Sequence, residues 1–116
     1  MSSMLTRLLA IILSLVPGAE AVVYYGKVDG AKKPSELTAK TVFNEIPEYK
    51  KIKDKGLGKD DAEYWLLLNK ANDKFNKAVK KVAEDGKYDV VVEKGSQKFD
   101  STPADLTQKV IDALKK

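Results

Sequence analysis

A chain of 116 residues with no cysteine and no histidine cannot be stapled by disulfides, and it lacks the groups of thiol or Ser-His-Asp nucleophiles and of ordinary zinc sites. Its 21 basic and 17 acidic side chains give a formal net charge of +4, and Arg7 is the single arginine. Phosphates and base edges are gripped bidentately by arginine, so nucleic acid is not an expected partner. The excess of lysine leaves peripheral attraction to an anionic membrane surface, or to an acidic partner, open.

The N-terminus places Arg7 before the apolar run Leu8 to Val16, a Pro17-Gly18 break and Ala19-Glu20-Ala21. That layout predicts a secretory signal peptide over residues 1–21, cleaved after Ala21 and leading to the periplasm. The run is too short for the roughly 20 residues of a membrane-crossing helix. One small domain, residues 22–116, remains.

Val22 to Val28 is β-branched and aromatic, ends at Asp29-Gly30, and predicts a strand. Gly30 to Thr41 is polar, carries Pro34, and is expected to be a connector with a helical turn from Ser35. From Val42 the period becomes helical through Ile46, Tyr49 and Ile52, with Pro47 predicting two pieces or a kink. Gly56-Leu57-Gly58 ends that segment.

A long helix is expected from Asp60 as N-cap, with Glu63 completing a capping box, to Asp85-Gly86. Tyr64, Leu68, Ala71, Phe75, Ala78 and Val82 alternate at intervals of four and three, the seam of a coiled-coil-like hairpin. Tyr88 to Glu93 then predicts a strand with Tyr88, Val90 and Val92 on one face, turning at Lys94-Gly95 into a partner strand, Ser96 to Asp100. A final amphipathic helix aligns Leu106, Val110, Ile111 and Leu114, with Thr102-Pro103 or else Asp105 at its start. The fold class is therefore α+β. A three-stranded body, 22–29 and 87–116, carries a projecting antiparallel helical hairpin, 42–85, and a C-terminal helix.

Two stretches carry a resemblance. VAEDGKYDVVVEKGSQKFD, Val82 to Asp100, followed by DLTQKVIDAL, Asp105 to Leu114, resembles the C-terminal signature of the Skp-type, or OmpH-like, periplasmic chaperones. Ala83, Tyr88, Asp89, Val90 and Val91 match its A-x-x-x-G-Y-D strand pattern, and Asp105, Leu106 and Thr107 match its D-I/L-T helix start. VYYGKVD and VFNEIPEYKKI resemble its first strand and its entry into the outgoing helix. The resemblance implies a homotrimer joined through the strands, and an ATP-independent holdase for unfolded outer-membrane proteins. Residues 30–41 then read as an insertion. The hairpin is short, a helix from Asp61 to Glu84 spanning roughly 36 Å, whereas holdase members enclose clients with much longer arms. The alternative is a non-enzymatic adaptor of the cell envelope that keeps the trimeric body without enclosing arms.

No catalytic residue, metal ligand or cofactor site is expected. The acids Asp54, Asp60, Asp61 and Glu63 gather at a helix start, where capping explains them. Tyr64, Trp65, Leu66 and Leu67 are the candidate contacts for a client or partner, because five consecutive large apolar residues, Tyr64 to Leu68, cannot share one helix face. They serve either as an exposed patch or as packing within the hairpin. Val90, Val91, Val92 and Phe99 are candidates for the sheet core or a subunit interface.

Overall fold

The β-branched and aromatic residues after Ala21 do form a strand. β1 spans Val23–Gly26 in the computed structural model, which describes residues 22–115. The expected signal peptide lies outside the described residues. Gly26 ends β1 with φ +75°, and a Cβ there would stand 1.9 Å from the Asp89 carbonyl oxygen, so the chain crossing at this point admits glycine alone.

Residues 30–41 are not a connector. They hold a strand, β2 (Pro34–Leu37), and the start of a short helix, α1 (Ala39–Phe43). Pro-Ser-Glu-Leu has little intrinsic strand preference, so tertiary contacts make the strand. Pro34 is its first residue, where a missing N–H is tolerated. The Ser35 hydroxyl donates to the Val90 carbonyl at 2.7 Å, and the Asp89 carboxylate accepts the Lys32 and Lys33 amides at 2.6 and 2.9 Å. Asp89, part of the Tyr-Asp signature, thus anchors the entry to β2.

β3 (Val90–Glu93) lies antiparallel to β1 and parallel to β2, which in turn runs parallel to the two-residue β4 (Ala104–Asp105). The order is β1-β3-β2-β4, a mixed sheet of four strands rather than the expected three. Ser96 to Asp100, expected to pair with β3, is not a strand. Both edges of β3 are already taken by β1 and β2, so a hairpin partner has nowhere to bond.

Proline divides the helical segment as expected. α1 ends at Phe43, and α2 (Pro47–Asp54) begins with Pro47 in its first turn. α3 (Ala62–Gly86) follows, with Asp61 rather than Asp60 in the capping position. The capping box does not form: with Asp61 as N-cap, Glu63 stands at the second helical position, and its carboxylate pairs with Lys55 at 2.6 Å. At the other end Gly86 is still helical, and Lys87 takes the left-handed conformation with φ 58°. A side chain at Gly86 would collide with the Tyr88 ring, its Cβ falling 2.4 Å from Cε2. The glycine therefore serves packing, and the lysine makes the turn.

The expected seam of α3 widens into a broad face. Leu67, Leu68, Ala71, Asn72, Phe75, Ala78, Val79 and Ala83 are buried, while Tyr64 and Val82 are half-buried. A two-position stripe serves one neighbouring helix, whereas α3 is covered by α2, by β1 and by α4 (Thr107–Leu114). Phe75, midway along α3, stacks on Phe43 at 4.7 Å and meets the Tyr24 ring edge-on at 5.3 Å. The middle of the long helix therefore lies against the sheet, while its N-terminal half pairs with α2. One hydrophobic cluster runs from Leu37 through Phe75 and Val91 to Ile111, joining body and hairpin. The class is α+β: a mixed sheet with a helical layer on it.

At the last helix Asp105 acts, not Thr102: its carboxylate accepts the Thr107 amide at 2.9 Å. This hydrogen bonding to Thr107, reinforced by Lys94, holds the Asp105 carboxyl below the usual range.

Candidate functional site

The turn between α2 and α3 leads into the apolar run singled out in the sequence, which occupies the first turns of α3. Gly56 opens it with φ +63°, and the Asp61 carboxylate accepts the Gly58 amide at 2.9 Å, closing a small loop against the first turn of α3. The Trp65 indole donates to the Lys59 carbonyl at 2.8 Å, and the Tyr64 and Trp65 rings meet edge-on at 4.9 Å. With its one donor satisfied internally, the indole can be covered by an apolar surface at no hydrogen-bond cost.

The four candidate residues separate by helix geometry. Leu67 is buried at 8% exposure, on the same face as Leu68, Ala71 and Phe75. Tyr64 and Trp65 lie at the flanks, half-buried against the core. Leu66, on the side away from that face, is 57% exposed and is the exposed large hydrophobic among the described residues. Half-buried Leu57 belongs to the same end of the molecule. Around this surface the Lys55–Glu63 pair and exposed Lys59 and Lys70 form a mixed, mainly solvated rim. Tyr49 packs under it; burial, with Tyr64 nearby, pushes its hydroxyl upward.

The second candidate group resolves differently. Val90, Val91 and Val92 are each closed to solvent within one chain, at 0% exposure, so they are core and offer no surface to another subunit. Val91 joins the cluster beneath the helices, and Val90 and Val92 alternate to the other face. Phe99 is half-buried in the loop after β3, outside the main cluster, where it borders a shallow groove with Val28, Ala31 and Pro34. These four residues therefore do not form one surface.

Sequence reasoning missed Glu93. It looks like the wet end of a strand, yet it is 4% exposed and one carboxylate oxygen accepts both the Tyr24 hydroxyl at 2.7 Å and the Ala39 amide at 3.0 Å. The carboxylate ties β1 to the first amide of α1. Burial, followed by the hydrogen bond and charge of Glu93, pushes the Tyr24 hydroxyl far above its ordinary value, so the phenol stays a donor. The strand pattern held no signal for this, because the partners are 69 and 54 residues away in the chain.

The remaining perturbed carboxylates have structural causes. Glu48 is held low by its hydrogen bond with Lys74, 2.9 Å away on α3. Among the described residues no three or more His, Cys, Asp or Glu side chains are grouped to hold a metal ion. No helix among them is long and apolar enough to cross a membrane. No family model, curated protein or solved structure matches the chain.

Proposed function

We propose that this is a non-enzymatic binding protein of the cell envelope, exported to the periplasm, that engages a protein partner through the exposed end of its helical hairpin. One observation carries the reading: Leu66 is 57% exposed beside half-buried Tyr64 and Trp65, while the rest of the apolar face of α3 is consumed by the protein's own core. A surface of this size suits an adaptor that docks on a defined apolar feature of one partner. It is small for enclosing an unfolded chain.

The holdase reading is the second, favoured by the resemblance of Val82 to Asp100 and Asp105 to Leu114 to the Skp-type chaperones. It calls for a cavity made by several copies, and such copies would meet through surfaces other than the closed Val90–Val92 strand. Light scattering on two unrelated unfolded outer-membrane proteins separates the two, alongside measurement of the particle mass. An adaptor leaves both to aggregate. Suppression of both at near-stoichiometric amounts, lost in Leu66→Ser, overturns the adaptor reading in favour of the holdase. Mass spectrometry of the envelope form tests export, with Val22 expected at the N-terminus.

A further inference from the structure

We draw no further inference here: the strongest candidate, the groove of about 370 Å³ between the C-terminal half of α3 and α4, lined by Lys81, Val82, Asp85, Tyr88, Lys109 and Asp112, carries both signs of charge on each wall, and nothing in the structure shows what covers it.

Discussion

Pro34–Leu37 and Tyr64–Leu68 are inverted with respect to their composition. The first is half polar, contains a proline, and is nearly closed to solvent: Ser35 and Leu37 are both at 0% exposure. The second is the most apolar run after residue 21, yet it holds the most exposed large hydrophobic side chain described. Hydropathy fails at both because burial is set by neighbours. β2 lies between β3 and β4, so Pro34, Ser35 and Leu37 are enclosed whatever their polarity, and Glu36 is half-buried. A helix has a single buried face, so five apolar residues in succession must leave some of them outside.

The severest trial of the enclosed half is Val91→Asp. An unpaired carboxylate in the cluster beneath the helices, where Val91 points, has no partner and no water, and the loss should reach at least about 3 kcal/mol, enough to unfold a small domain without disulfides. Circular dichroism in urea should show little or no folded baseline. A cooperative transition near the wild-type midpoint would mean that the sheet is open at this point.

The helical run is divided by a pair of single variants. Leu67→Ser removes a buried side chain and places a hydroxyl in the core, costing roughly 2–4 kcal/mol. Leu66→Ser should stay within about 0.5 kcal/mol of wild type. Equal losses in thermal melts would erase the distinction between the two faces and return Leu66 to the core.

A smaller effect is expected in β2. Ser35→Ala leaves the strand in place but removes the hydrogen bond to the Val90 carbonyl, lowering stability by about 1 kcal/mol. A neutral result in urea titration would show that the backbone ladder alone holds this polar strand.

The smallest effects are opposite in sign and depend on pH. The Lys32 and Lys33 amides hold the Asp89 carboxyl below its usual range. Its stabilising contribution is therefore present above an unfolded value of about 4 and is lost as pH falls through the lower folded value. Glu36 is shifted upward, chiefly by burial, with Asp105 and Glu93 adding to the shift and Lys94 opposing it. Its favourable contribution is present below an unfolded value of about 4.3 and disappears as pH rises through the folded one. Urea midpoints measured across the carboxylate range should therefore flatten at the acid end for Asp89→Asn. Glu36→Gln should rise slightly above wild type at neutral pH and converge with it in acid. A Glu36→Gln midpoint below wild type at neutral pH would place a favourable ion pair at that residue instead.

Local pattern by itself determined the α+β class, the presence of strands within Val22 to Val28 and within Tyr88 to Glu93, though they form only over Val23–Gly26 and Val90–Glu93, the break at Pro47, the turn at Gly56, and the long and terminal helices. Each of these follows from period, from proline's missing donor, or from glycine's access to positive φ. Only the tertiary structure decided that a polar connector is a strand, that Ser96 to Asp100 is not, and that Phe75 in the middle of the long helix docks on β1. The same holds for Glu93, which bonds Tyr24 and Ala39 from the interior. Strand pairing and burial of polar groups depend on which distant segments meet, such as Asp89 with Lys32 and Lys33 or Phe75 with Tyr24 and Phe43, and no local window contains that information. For the candidate site, the chain order marked Tyr64 to Leu67 as one patch. The direction in which α3 docks divided it, enclosing Leu67 and leaving Leu66 outside.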